Sequence, residues 1–110
     1  MREIYFYRSA SGDCPVEVFL ARLDAKRAQK IAWVLRLVKE LSMVPKQYFK
    51  KLEGTQEIWE VRADLANDAF RLLGFWDERQ LIILTNAFAK KTQKTPAREI
   101  TLAVQPALIT

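Results

Sequence analysis

The chain has 110 residues, of which 50% are hydrophobic and 28% are charged. This length and composition predict a single globular domain that spans residues 1–110. Lysine and arginine together number 18 against 13 acidic residues, a net charge of +5 that favours phosphate-bearing or acidic partners. Histidine is absent and Cys14 is the single cysteine, so zinc, haem and iron–sulfur sites are disfavoured. We therefore expect no metal site and no cofactor.

The N-terminal residues lack the apolar run of a signal peptide. No apolar run elsewhere approaches the length that a membrane-spanning helix needs. We therefore expect a cytoplasmic protein without a membrane partner.

The first half of the chain predicts one strand and two helices. Residues 4–7 are aromatic and β-favouring, which indicates a strand. Pro15 suits a first helical position, and apolar residues at helical spacing after it predict a helix over residues 15–23. A second amphipathic helix is predicted over residues 24–42, and Pro45 follows its end.

The second half changes to strand periodicity. Four strands are predicted, at residues 48–52, 57–63, 70–76 and 81–88. The last of them is apolar on both faces, which predicts a central strand. Asn67 and Asp68 predict a hairpin turn, and Thr95 before Pro96 predicts the N-cap of a final helix that runs toward Pro106.

This order of elements predicts an α+β fold. We expect the two N-terminal helices to pack on one face of a twisted, mostly antiparallel sheet of four to five strands, with a C-terminal helix after it. A sheet that is covered on one side leaves its other face partly open. That open face is where we expect a ligand to lie.

A lysine cluster follows the last predicted strand. Lys90, Lys91 and Lys94 lie within a segment that contains no acid. Because like charges repel, this segment is better suited to binding a polyanion than to stabilising a fold, although a solvated basic linker is the alternative. A lysine whose pKa is lowered by neighbouring cations could also act as a general base.

Two strand arginines extend the basic surface. Arg71 interrupts an apolar strand and Arg62 lies near the end of the preceding one. Arg71 is either paired with a carboxylate, with Glu60 or Glu57 as the obvious partner, or presented to a ligand. Arg62 is either a solvated strand end or presented to a ligand. In a meander of adjacent strands, both arginines and the lysine cluster can approach one side of the sheet and form a phosphate cradle.

Further residues have two interpretations each. Lys46, Lys50 and Lys51 form a second basic patch, which suits either RNA contact or the protection of an edge strand from aggregation. Glu60 is either an ion-pair partner or a general base.

Aromatic residues near the basic patch also have two interpretations. Tyr48, Phe49 and Trp76 could stack an exposed nucleobase, although core packing is the simpler interpretation of each. RNA cleavage needs neither histidine nor a metal in principle, because the ribose 2′-hydroxyl can attack the adjacent phosphate while cations stabilise the transition state.

Three strings of the sequence resemble a known family. They are Trp-Glu-Val-Arg at residues 59–62, Phe-Arg-Leu-Leu-Gly-Phe at residues 70–75, and the segment 84–96. Together they resemble the RelE/ParE toxin superfamily. The nearest branch is the phage-derived HigB-type toxins, whose hallmark is Phe-x-Lys-Lys-Thr-x-Lys-Thr-Pro. The resemblance covers essentially the whole chain.

The resemblance implies a RelE-like fold and the toxin component of a type II toxin–antitoxin system. Such a toxin enters the ribosomal A site and cleaves mRNA as an endoribonuclease. A cognate antitoxin, expected to be a helix-turn-helix protein, holds it in check. The partners implied are therefore this antitoxin and mRNA on the ribosome.

The resemblance also implies roles for individual residues. The strand arginines Arg62 and Arg71 would bind phosphate and stabilise the transition state. Lys90 and Lys91 would join them in catalysis. The RNA-binding residues that we predict are Lys94, Lys50, Lys51 and Arg98.

Two other functions stay open at this point. Several relatives have a tyrosine or a histidine near the C-terminus, and this chain has neither there. That difference favours a non-catalytic inhibitor of DNA gyrase, the target of the ParE branch, or a phage-derived accessory binding protein. Fold alone does not decide between these targets.

Overall fold

The computed structural model of the protein describes residues 2–55, 57–78, 80–91 and 95–109. Within these residues the chain forms three helices and five strands. Their bounds are β1 Glu3–Phe6, α1 Pro15–Ala21, α2 Ala25–Glu40, β2 Phe49–Lys51, β3 Trp59–Leu65, β4 Asp68–Glu78, β5 Leu81–Ala89 and α3 Ala97–Ile109. The α+β class and the order of elements are as predicted.

The five strands form one mixed sheet in the order β1-β5-β4-β3-β2. Strand β1 pairs with β5 in parallel, and the other three pairs of neighbours are antiparallel. The prediction of a mostly antiparallel sheet is therefore confirmed. Strand β5 is an interior strand as predicted, although β4 occupies the middle position.

The two N-terminal helices begin where the sequence predicts. Pro15 opens α1, and Asp24 caps α2 by accepting a hydrogen bond from the backbone N–H of Arg27 at 2.9 Å. The Arg27 side chain also bonds the Asp68 carboxylate at 2.7 Å, which ties the start of α2 to the start of β4. Both helices end two residues earlier than predicted, at Ala21 and Glu40.

The main core lies between these helices and one face of the sheet. Its fully buried members are aliphatic side chains that recur at helical spacing or at alternate strand positions. They include Val16, Ile31, Val34 and Val38 from the helices, and Val61, Leu72, Ile82 and Leu84 from the strands. Burial of each such side chain contributes about 1.5–3 kcal/mol. The predicted packing of the helical pair on the sheet is confirmed.

A smaller core lies on the opposite face of the sheet. Helix α3 packs there through Ala103, with Ile100 beside it, against Leu73 and Ile58. The face that we expected to be partly open is therefore partly covered by α3.

The turn between β3 and β4 lies one residue earlier than predicted. The loop is Ala66 and Asn67, and Asp68 already pairs with Leu65 as the first residue of β4. Ala66 adopts a φ of 54°, in the left-handed region that favours glycine. The Asn67–Asp68 pair therefore predicted the correct hairpin, but the turn residues are Ala66 and Asn67.

Gly74 permits a β-bulge between β4 and β5. Leu73 and Gly74 are consecutive on β4, but their partners on β5 are separated by Thr85. The Thr85 hydroxyl donates a hydrogen bond to the Leu73 carbonyl at 3.1 Å. A Cβ atom on Gly74 would overlap the Ile83 carbonyl and lie 2.9 Å from the Leu84 Cα. Only glycine fits this close approach of two backbones.

Within the described ranges, no helix is long and apolar enough to cross a membrane. The same ranges contain no group of three or more His, Cys, Asp or Glu side chains that could hold a metal ion.

We expect Gly74→Ala to lower the free energy of unfolding by about 1–3 kcal/mol or more, because the atoms in the way belong to backbone and cannot rotate aside. Urea denaturation measures this change. Ala66→Gly is the control, since it removes one methyl group from the left-handed turn and should leave stability unchanged or raise it by up to about 1 kcal/mol. A Gly74→Ala protein as stable as the parent would contradict the bulge geometry.

Candidate functional site

The candidate site is built around Glu60, on the face of the sheet that α3 partly covers. In the strand register, Glu60 on β3 lies opposite Lys50 on β2, and Arg62 on β3 lies opposite Arg71 on β4. Residues directly opposite one another on antiparallel strands share a face. The pairing of three strands thus places three cations around one carboxylate.

Glu60 is 1% exposed, so its charge must be compensated inside the protein. Its Oε1 atom lies 3.6 Å from Arg62 Nε and 3.8 Å from Arg71 Nε. Its Oε2 atom accepts a hydrogen bond from the Thr95 hydroxyl at 2.9 Å. Glu60 therefore links β3, β4 and the approach to α3.

Two buried donors at this site lack acceptors. The distances from Glu60 to Arg62 Nε and Arg71 Nε are those of ion pairs but too long for hydrogen bonds. Both Nε atoms are buried, and neither has a hydrogen-bond partner in the described part of the chain. Since buried donors are normally satisfied, these atoms make the site receptive to an anionic acceptor.

Arg71 has a different closest partner from the two that we predicted. Its Nη1 atom bonds Asp64 at 2.7 Å and the Phe70 carbonyl at 2.9 Å, and its side chain is 5% exposed. Because Arg71 lies opposite Arg62, the carboxylates within reach on β3 are two positions away, at Asp64 and at Glu60. The expected pairing with Glu60 is present at longer range. Pairing with Glu57 is wrong, since that residue precedes β3 and bonds Lys51 instead.

Lys90 completes the cationic group. It follows β5, and its backbone N–H donates to the Ala69 carbonyl at 2.7 Å, which fixes it beside β4. Burial lowers the pKa of the Lys90 ammonium, and the positive charges of Arg71, Arg62 and Lys50 lower that pKa further, while Glu60 opposes the shift. A lowered lysine pKa was predicted from neighbouring cations. Burial is the larger cause.

A cavity of about 390 Å³ opens above Glu60. Its lining comes from β2, β3, the end of β5 and the start of α3. The polar residues that line it are Lys50, Glu53, Glu60, Lys90 and Thr95. Its volume is within the range of small-ligand sites. A phosphate in this cavity would meet two ammonium groups, with the arginines beside Glu60.

The other predicted site residues that the structure describes do not line this cavity. Lys51 lies opposite Trp59, on the other face of the sheet, and its ammonium bonds Glu57 at 3.0 Å. The Arg98 side chain is 87% exposed in the first turn of α3. Lys91 is exposed next to Lys90. Lys94 lies outside the described residues.

The sequence interpretation missed the roles of two residues. Thr95 was expected to cap α3, but α3 begins at Ala97 and the Thr95 hydroxyl binds Glu60. Asp64 was not considered as a partner of Arg71. The alternation of Glu60, Arg62 and Asp64 along β3 was the available signal for Asp64, because alternate residues of a strand share a face.

The three helices and the five-stranded mixed sheet of the described residues are compatible with a RelE-like fold. Residues 18–107 match the family described as Phage derived protein Gp49-like (DUF891), and the chain belongs to this family. The family lies within the RelE-like group of toxins, so membership implies an antitoxin partner. A comparison with curated proteins finds no match.

We expect Arg71→Ala to lower the free energy of unfolding by about 2–4 kcal/mol, because it leaves Glu60 with one fewer counter-charge in a buried setting. Asp64→Asn is the matched control. The Asp64 side chain is 60% exposed, so its loss should cost less than about 1 kcal/mol. Thermal denaturation of both variants measures the difference.

The same Arg71→Ala protein distinguishes a catalytic role of Arg71 from a structural one. Toxicity in cells is measured at a temperature where the variant remains folded. A catalytic Arg71 predicts that toxicity is abolished there. Toxicity that falls only in proportion to the folded fraction would assign Arg71 to a structural ion pair and remove it from the catalytic residues.

Proposed function

We propose that this protein is the toxin of a type II toxin–antitoxin system, of the HigB-like branch, and cleaves mRNA on the ribosome as an endoribonuclease. The observation that supports this proposal is the cavity that joins Lys50 and Lys90 above the buried Glu60. The resemblance of residues 84–96 to HigB-type toxins supports the ribosome as the place of cleavage and a helix-turn-helix antitoxin as the partner.

The charges of the site suit a phosphodiester. Four cations, Lys50, Arg62, Arg71 and Lys90, accompany three carboxylates, Glu53, Glu60 and Asp64. The surplus of one positive charge matches the charge of one phosphodiester, and the nearby cations oppose the further negative charge that develops during cleavage. The Nε atoms of the two arginines are buried and have no hydrogen-bond partner in the described residues, so they act on the phosphate through their charge.

Lys90 is the general base that we assign. Its lowered pKa increases the fraction of neutral amine at neutral pH. Neutral Lys90 Nζ takes the proton of the ribose 2′-hydroxyl, and the 2′-oxygen forms a bond to the adjacent phosphorus. The bond from phosphorus to the 5′-oxygen then breaks, and that oxygen takes a proton from solvent. The products are a 2′,3′-cyclic phosphate and a 5′-hydroxyl.

The remaining charged residues stabilise this reaction. Lys50 lines the cavity and Arg62 is partly exposed, so both contact the phosphate oxygens. Arg71 adds positive charge from the buried side. Glu60 holds both arginines and, through its negative charge, keeps the cations together. Lys91, exposed beside Lys90, extends the basic surface along the RNA. Lys94, which follows in the sequence, is a further predicted RNA-binding residue.

One observation favours a second function, a non-catalytic inhibitor of DNA gyrase. The Arg71 side chain is 5% exposed and bonded to Asp64, as expected of a structural ion pair. Such a protein would use its basic surface to bind a target rather than to cleave RNA.

Mapping of mRNA 5′ ends after expression in cells separates the two functions. We expect new 5′-hydroxyl ends within translated messages, in phase with codons, because cleavage occurs on the ribosome. An untranslated copy of the same message is the control and should stay intact. Intact messages together with DNA damage would overturn the nuclease and support the gyrase inhibitor.

Lys90→Arg tests the general base, because arginine keeps the positive charge but does not give up its proton. Cleavage by the parent protein should rise with pH through a pKa below 10.5 and then level off, since only neutral Lys90 accepts a proton. Lys90→Arg should lose cleavage by about 100-fold or more at every pH.

Lys91→Arg is the matched control for Lys90→Arg. Lys91 is exposed and adjacent in sequence, so its replacement should leave the pH profile unchanged. A Lys90→Arg protein that cleaves like the parent would show that Lys90 acts only through its charge. Equal melting temperatures of the two variants exclude misfolding as the cause of lost activity.

A further inference from the structure

A second and larger cavity, of about 730 Å³, lies on the other side of β2. The mechanism proposed above does not use it. Three aromatic side chains and several lysines line it. They are Phe49, Trp59, Trp76, Lys46, Lys50 and Lys51. Glu53 is the acid in the lining. The cavity therefore combines aromatic surface with an excess of positive charge.

The aromatic side chains of this cavity form an ordered group. Phe49 and Trp59 stack with ring centroids 4.8 Å apart, and Trp76 meets both edge-on at 6.0 and 6.1 Å. Phe49 is 6% exposed, whereas Trp59 and Trp76 are only half-buried. Part of each indole thus remains accessible beside the lysines. Aromatic faces next to cations are what proteins use to bind unpaired nucleotides.

The two cavities adjoin at the edge of the sheet. Lys50, Leu52 and Glu53 line both of them. Strand β2 is a three-residue edge strand, so a chain that leaves one cavity can pass over it into the other. Lys50 lies at the junction, where it can contact a phosphate between two nucleotides.

We propose that the aromatic cavity is a second nucleotide subsite, which takes the base of an unpaired RNA nucleotide that flanks the scissile phosphate. The base stacks on the indole of Trp76 and meets the Trp59 ring edge-on, since the two indoles are perpendicular. Exposed Lys46 binds a phosphate oxygen. Lys51 is already bonded to Glu57 and contributes less. This inference rests on the proposed RNA-cleaving function.

The chain supplies its own optical probe for this subsite. Two of its three tryptophans, Trp59 and Trp76, line the cavity, and the third, Trp33, lies on α2. In a Trp33→Phe background, fluorescence therefore reports on the cavity alone. The ligand is a short 2′-O-methyl RNA, which cannot be cleaved because its 2′-oxygen is blocked. We expect saturable quenching that weakens as salt is raised.

Variants in this background identify the residues that bind. Trp76→Leu should weaken binding by about tenfold or more, since base stacking on an aromatic ring is lost. Lys46→Ala should weaken it several-fold and does not disturb the aromatic core. Lys26→Ala is the matched control, an exposed lysine at the start of α2 that should bind like the parent.

Three results would overturn the subsite. They are the absence of quenching by the RNA, equal weakening by Lys26→Ala and Lys46→Ala, and equal quenching by polyglutamate, which would indicate a docking surface for an acidic protein. Lys90→Arg should still show quenching. Quenching without any mRNA cleavage by the parent protein would contradict the proposed nuclease but support an RNA-binding subsite. Cleavage without quenching would support the nuclease and contradict the subsite.

Discussion

The buried carboxylate of Glu60 is the group on which the rest of this structure depends. A charge that is 1% exposed is tolerated only when opposite charges and hydrogen bonds surround it. Arg62, Arg71 and the Thr95 hydroxyl provide these contacts from three segments of the chain. The same contacts gather the cations that give the site its chemistry. One network of contacts therefore stabilises the fold and also holds the site together. Replacing one of its residues should change both the stability of the protein and the geometry of the site.

Most of the fold could be predicted because its signals are local. Pro15 and Asp24 mark helix starts, and the change from helical to alternating apolar spacing marks the sheet. The site could be predicted only in part, because its contacts depend on strand register. Lys50 and Lys51 are equivalent in the sequence, yet only Lys50 lies opposite Glu60. The pairing of Arg71 with Asp64 likewise depends on the β3–β4 register, which shifts when the turn is placed one residue too late.

The family match and the site chemistry answer different questions. The match to the Gp49-like family identifies a toxin-like protein with an antitoxin partner. The site explains how such a protein and its antitoxin could share one surface. An acidic segment and a phosphodiester both satisfy the surplus positive charge around Glu60, so each would exclude the other.

The bulge at Thr85 has a consequence for Lys90. Before it, Ile82 and Leu84 of β5 face the two N-terminal helices. Strict alternation would send Phe88 and Lys90 to that side as well. The extra residue, Thr85, reverses which face each later residue of β5 occupies. Phe88 therefore packs with the α3 core, and Lys90 lies beside Glu60. The one extra residue of the bulge thus decides on which face of the sheet Lys90 lies. The bulge itself is possible because Gly74 has no side chain.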